Sequence, residues 1–252
     1  MPPVVGLSYW STGGNPVKQA VLRQLEPWTA VELLDPDTEH PDLVERGYDL
    51  YHMAKRRRPS LRDLARAADA GTPTLNPPVG AWLTSDRPLR AAALRAHDVP
   101  VPAFAYATAA EVPFDPPVVV KPRWEWVGNA HEFSVVRDGP VAFAGRQFVE
   151  RYVRYDRVLK VYTLGADRWA VDTSDRYRAA TADSRIDALV DRVQSIFGLS
   201  VFEVDLAVSG DRLLVLDVNP AVSLRGVDRT DAVAAYVGLV RDSVRARLVA
   251  GT

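Results

Sequence analysis

The sequence predicts a mixed fold, α/β in its first third and α+β beyond. Three observations predict it. Over residues 1–78, apolar strand-like runs alternate with stretches of helical spacing, the pattern of a parallel sheet with crossover helices. Beyond residue 100, β-branched runs follow one another across short turns, and only two further helical stretches appear. The chain has 252 residues, 47% hydrophobic and 25% charged, enough to bury sizeable cores.

Each element has a local cause. "PPVVGLSYW" is an apolar strand entering a Ser/Gly-rich loop, "STGGN". "PVKQAVLRQL" has helical spacing, with Pro16 near its start and Val17, Val21 and Leu22 on one side. "TAVELLD" and "YDLYHMA" are the second and third strands, and "SLRDLARAADAG" is a helix closed by Gly71. "TPTLNPP" reads as a short strand before a turn. "SDRPLRAAALRAHD" reads as a helix with Ser85 as N-cap and Arg87 in its first turn. "VPVPAFAYA" is extended and stiffened by proline. "DPPVVVKPRWEW" is a strand ending in Lys121, with "HEFSVV" as its hairpin partner across a Gly-containing loop. "QFVERYV", "RVLKVYTLG" and "RWAVDTS" continue as strands. "RIDALVDRVQSIFGL" is a helix ended by Gly198. "SVFEVDLAVSGDRLLVLDVNP" is a hairpin turning at "SGD", and "TDAVAAYVGLVRDSVRARLVA" is an amphipathic helix.

Composition excludes several function classes. There is no cysteine, hence no disulfide, thiolate metal site or cysteine nucleophile. A net charge of −1 gives no global field for nucleic acid or anionic membrane. No apolar run reaches the roughly 20 residues that span a bilayer. "MPPVVGLSYW" lacks the pattern of a secretory signal, so a cytoplasmic location is expected. No Gly-x-x-x-x-Gly-Lys-Ser/Thr loop and no kinase-type His-Arg-Asp segment occurs.

Two features carry chemistry. The strand "RLLVLDVNP" ends on Asp217 and Asn219, which alternation puts on one face, and Asp205 of the preceding strand can lie opposite them if the turn sets the register. Two carboxylates and an amide oxygen suit Mg²⁺ carrying a polyphosphate. The alternative is that Asp217 and Asn219 begin a turn before Pro220. The second feature is scarcity of lysine: 4 against 27 arginines. Lys121 and Lys160 both sit in apolar strands, where a desolvated ammonium needs an anionic partner such as a nucleotide triphosphate.

Taken in order, these segments resemble the ATP-grasp superfamily. "TPTLNPPVGAWLTSDRPLRAAALRAHDVPVP" resembles its opening segment, "VVVKP" its first nucleotide-binding lysine strand, "FVERYV" its adenine hinge, and "VFEVDLAVSGDRLLVLDVNP" its metal hairpin. The resemblance implies an ATP-grasp fold in three parts: an N-terminal α/β subdomain (1–78), a central lid (79–152) and a C-terminal metal-bearing subdomain (153–252). It implies ATP and Mg²⁺ as cofactors, with Asp205, Asp217 and Asn219 as metal ligands. Arg87, Lys121, Glu150, Tyr152 and Val153 would contact ATP.

Two branches fit. "NAHEFSVV", "LKVYTLG" and "DVNPAVSLRGV" resemble segments of the inositol tris/tetrakisphosphate kinases. That branch places Lys18, Lys55, His131 and Ser223 around an anionic small-molecule acceptor, with Lys160, His131 and Arg225 in catalysis. It is the first expectation, with phosphoryl transfer as the reaction. Val222-Ser223 stands where that branch has Pro-Gly. The RimK-like carboxylate–amine ligases share the ATP half of the pattern and are the alternative. A non-catalytic nucleotide-binding module is a third reading. No nucleic-acid or membrane partner is expected. "KRRR" at 55–58 reads as a small-anion site or a solvated loop, and Trp124 and Trp126 as ligand stacking or hydrophobic cover.

Overall fold

The computed structural model describes residues 2–10, 14–127 and 133–250. Strands β1 (Val4–Ser8), β2 (Ala30–Leu34) and β3 (Leu50–His52) form the expected parallel sheet, in the order β2-β1-β3. Helix α1 (Pro16–Leu25) is capped by Asn15, whose side chain accepts from the amides of Val17 and Lys18. Helix α2 (Arg58–Asp69) follows β3.

The next segment differs from the sequence reading. "TPTLNPP" contributes only a single bridge, Thr74 to Tyr51. A short helix, α3 (Pro78–Ser85), then precedes α4 (Arg87–Ala96). Ser85 therefore ends α3, and Asp86 is the N-cap of α4, accepting from the Leu89 amide. The eight-residue α3 is apolar nearly all round and has no side-chain cap, so no amphipathic period announces it. Gly80 permits it to lie against helix α5 (Ser184–Phe197), because a Cβ there would stand 2.0 Å from the Phe197 carbonyl oxygen.

A four-stranded antiparallel sheet forms the middle of the molecule. Its strands are β4 (Phe104–Ala107), β5 (Val118–Lys121), β6 (Ser134–Val136) and β7 (Gln147–Arg151), in the order β4-β7-β5-β6. Val118, Val120 and Val149 make its small core. A five-stranded sheet follows, built from β8 (Arg157–Leu164), β9 (Asp167–Asp172), β10 (Arg178–Ala180), β11 (Val201–Ser209) and β12 (Arg212–Asn219), in the order β10-β9-β8-β11-β12. Helix α5 packs on this sheet through Ile186, Val190, Val193 and Phe197, and Leu94 of α4 joins the same core. Gly198 ends α5 at φ +64°, the left-handed conformation that spares glycine a Cβ penalty. Helix α6 (Arg229–Ala250) packs back on α1 through Tyr236, Val237 and Val240 against Val17 and Val21. Each such side chain buried contributes about 1.5–3 kcal/mol. Among the described residues, no helix is long and apolar enough to cross a membrane.

Candidate active site

The hairpin β11–β12 shows how the acidic residues meet. Its tight turn pairs Ser209 with Arg212, and ladder counting from there sets Leu206 opposite Val215. Regular continuation would put Asp205 opposite Leu216 and turn Asp217 to the other face. A bulge between Asp205 and Leu206 moves the register by one, so Asp205 pairs with Asp217 and Glu203 with Asn219. The turn alone does not set the register the sequence required; the bulge at Leu216 does. On the other side of β11, Lys160 of β8 pairs with Asp205 and Tyr162 with Glu203. Two rows of side chains result, Lys160–Asp205–Asp217 and Tyr162–Glu203–Asn219.

Lys160 Nζ lies 2.7 Å from Asp205 Oδ1 and 2.9 Å from Glu203 Oε1. Burial pushes the Lys160 ammonium down, but these two carboxylates outweigh it and raise it above the usual range. Asp205 is pushed up to about 6, by burial first and by Asp217 and Glu203, with Lys160 opposing. Burial also pushes Asp217 up, but Arg90, Arg56, Arg87 and Lys121 hold it well below the usual carboxylate range. Asp205 Oδ1 is buried and makes no hydrogen bond of ordinary geometry despite the nearby ammonium. Asn219 Nδ2 donates to Glu203 Oε1 at 3.3 Å, while its Oδ1 accepts from the Ala221 amide at 3.0 Å, the turn expected before Pro220. Among the described residues no trio of Asp, Glu, His or Cys is arranged to hold a metal. The donor set is two carboxylates with an amide beside them, oxygen ligands of the kind a hard cation takes.

Asp205 and Asp217 line a cleft of about 260 Å³. Val119, Val135, Val158, Leu216 and Tyr155 line it with apolar surface, and Lys121, Glu150, Asp205 and Asp217 line it with charge. Lys121 ion-pairs with Glu150 across neighbouring strands. Tyr152 and Val153 line the same cleft just after β7. The Tyr152 amide is already bonded to Pro117 O at 3.0 Å. Arg87 lines the cleft, but its Nη1 donates to Pro122 O at 2.5 Å and its Nη2 to Glu125 at 2.7 Å.

The structure places the expected acceptor residues differently. Lys18 is buried, donates to Ala54 O at 2.6 Å and lies 4.7 Å from the Tyr9 ring centroid. Burial and the Lys55 charge push it down to about 7, with Glu203 pulling upward. Lys55 is half-buried over the Trp10 ring. Ser223 supports Glu203, donating its amide to Oε2 at 2.8 Å, and its hydroxyl meets Tyr162 Oη. Arg225 is exposed and stacks on Tyr177, outside the cleft. His131 lies outside the described residues.

Three residues escaped the sequence reading. Arg90, buried on α4, contacts Asp217 at 2.5 Å and Glu125 at 2.8 Å. Its signal was a charge among the apolar-face residues Ala91 and Leu94. Glu125 was hidden between two tryptophans. Glu203 lies two residues before Asp205, so the alternation that grouped Asp217 with Asn219 also grouped these two.

No protein-family model matches the sequence, and no curated protein matches it. Solved structures do. A RimK-domain ATP-grasp protein from Sphaerobacter thermophilus aligns at a TM-score of 0.74 and 18% identity, over 96% of this chain and 99% of that one. D-alanine–D-alanine ligase from Bacillus anthracis aligns at 0.72 and 12%, over 97% and 98%. The ATP-grasp ligase PsnB, solved with Mg, ADP and a phosphomimetic variant of its minimal precursor, aligns at 0.69 and 16%, over 96% and 98%. At such low identity the likeness shows the fold. The chain has the ATP-grasp fold along nearly its whole length.

Proposed function

We propose that the protein is an ATP-dependent carboxylate–amine ligase acting through an acyl phosphate. The observation that carries it is the Asp205–Asp217 pair, set side by side by a bulge and lining a cleft that has both apolar and charged surface. The fold, shared end to end with two proteins titled as ligases, supports the same reading. The phosphotransferase expectation takes second place. It relied on His131, Lys18 and Lys55 around acceptor phosphates; Lys18 is buried on Ala54 O, and His131 lies outside the described residues.

In this reading the base of ATP lies on the apolar part of the cleft and Lys121 meets its phosphates. Asp205 and Asp217 would hold Mg²⁺ with Asn219 beside them; bound there it would neutralise charge on the terminal phosphates. Lys160 holds Asp205 and Glu203 in place. An acceptor carboxylate oxygen attacks the γ-phosphorus as the bond to the ADP oxygen breaks, giving an acyl phosphate. A neutral amine then attacks the acyl carbon, and phosphate leaves. The test is a product assay over panels of carboxylates and amines. A ligase yields ADP, free phosphate and an amide; ADP with a stable phosphoester returns the kinase to first place.

A further inference from the structure

The segment "KRRR" is not absorbed by this mechanism, and its three arginines have different fates. Arg57 is partly exposed, pairs with Asp37 and lies over Trp10. Arg58 is exposed at the start of α2. Arg56 alone of the three turns inward, with only 9% of its side chain exposed.

Arg56 joins a buried charge cluster through Glu125, which lines the cleft while Arg56 lies behind it. Its Nη2 lies 3.2 Å from Glu125 Oε2, which also receives Arg87 Nη2 at 2.7 Å. Glu125 Oε1 receives Arg90 Nη1 at 2.8 Å, and that same nitrogen reaches Asp217 Oδ1 at 2.5 Å. Three guanidinium groups thus share two carboxylates, and both carboxylates line the cleft. Arginine keeps its proton, and a guanidinium N–H buried without a partner is costly, so the cluster is suited to receive one more acceptor.

Among the described residues, one donor of the cluster is buried without a partner. Arg87 has both terminal nitrogens on Pro122 O and Glu125. Arg90 Nη1 is shared among Thr84 O, Glu125 and Asp217. Arg56 Nη1 is buried and, among the described residues, has no hydrogen-bond partner. A guanidinium presents paired N–H groups that match phosphate oxygens.

We propose that Arg56, delivered from the N-terminal part of the chain, is a ligand of the terminal phosphate of ATP. The proposal rests on the nucleotide-binding reading of the cleft. It makes Glu125 the residue that gathers Arg56, Arg87 and Arg90 beside Asp217.

Calorimetric titration with Mg·ATP and, separately, Mg·ADP tests this without knowledge of the acceptor. Arg56→Ala is expected to weaken Mg·ATP binding by at least about tenfold, the range for a hydrogen bond to a charged group, and to leave Mg·ADP binding unchanged. Arg56→Lys keeps the charge and protects folding; it should weaken ATP less than Arg56→Ala, again sparing ADP. Arg57→Ala should change neither. Equal weakening of both nucleotides, or of neither, in Arg56→Lys and Arg56→Ala overturns the proposal. Wild-type protein that binds neither nucleotide overturns the nucleotide reading itself, a distinguishable result.

Discussion

Asn76 offers the most direct test of how the β11–β12 hairpin is held. Its side chain is 2% exposed. Nδ2 donates to Val201 O at 2.7 Å and Pro220 O at 3.0 Å, and Oδ1 accepts from the amides of Ser200 and Val201, each at 2.9 Å. One amide therefore ties the start of β11 to the residue following β12, the two strands that carry Asp205 and Asp217. Asn76→Ala removes four bonds and leaves four backbone groups without this partner, three of them buried. At about 1 kcal/mol net for each of the four bonds, we expect a loss of roughly 3–5 kcal/mol. That is a large share of the ~5–15 kcal/mol that holds a folded protein. Asn76→Asp keeps both accepted bonds but sets an oxygen against two carbonyls, so it should cost at least half as much. Urea denaturation reads both values as a lower midpoint at unchanged slope. An Asn76→Ala protein within about 0.5 kcal/mol of wild type, the range of an ordinary surface substitution, would refute the reasoning.

Four further outcomes are expected. Lys18 sits near 7 in the folded protein and near 10.5 when unfolded, so between those values the unfolded chain binds more protons and stability rises with pH. The cost of burying its charge is thus full below pH 7; Lys18→Met should stabilise the protein by roughly 2–4 kcal/mol near pH 6, an advantage that fades above about pH 10 and that urea melts at both pH values would check. Asp217→Asn should abolish ATP turnover while retaining the native circular dichroism spectrum; retained turnover removes the metal clamp from the mechanism. Lys121→Met should weaken nucleotide binding through loss of the phosphate counter-charge, and unaltered Mg·ATP affinity by calorimetry contradicts that. Gly80→Ala, ordinarily stabilising within a helix, should here destabilise by at least about 3 kcal/mol because its methyl meets the Phe197 carbonyl; a neutral or higher melting midpoint opposes the close α3–α5 contact.

The sequence made the strands and long helices legible because their periods are strong and their ends are marked, as at Asn15 and Gly198. Helix α3 was illegible because its eight residues, Pro78–Ser85, are mostly apolar and carry no amphipathic period. The faces of Asp205, Asp217 and Asn219 followed from alternation, yet their meeting depended on a bulge at Leu216 that no residue type announces. Glu203 is legible by the same alternation, two residues before Asp205 on the same face. The Arg56–Glu125–Arg90 cluster was not legible. It joins the segment after β3, the residues after β5 and helix α4, and charges so far apart in sequence are paired by tertiary packing alone. Lys18 shows the opposite error: scarcity marked it as special, and the structure explains that by burial against Ala54 O.

The central claim is that a carboxylate takes the phosphoryl group and then yields it to an amine. Hydroxylamine can replace the unknown amine, so the most direct measurement is to incubate the protein with Mg·ATP, hydroxylamine and a panel of carboxylates and to assay hydroxamate against ADP. The account predicts hydroxamate formed in step with ADP and free phosphate for at least one carboxylate, and none with Asp217→Asn. ADP formed together with a stable phosphoester, and no hydroxamate, would contradict it.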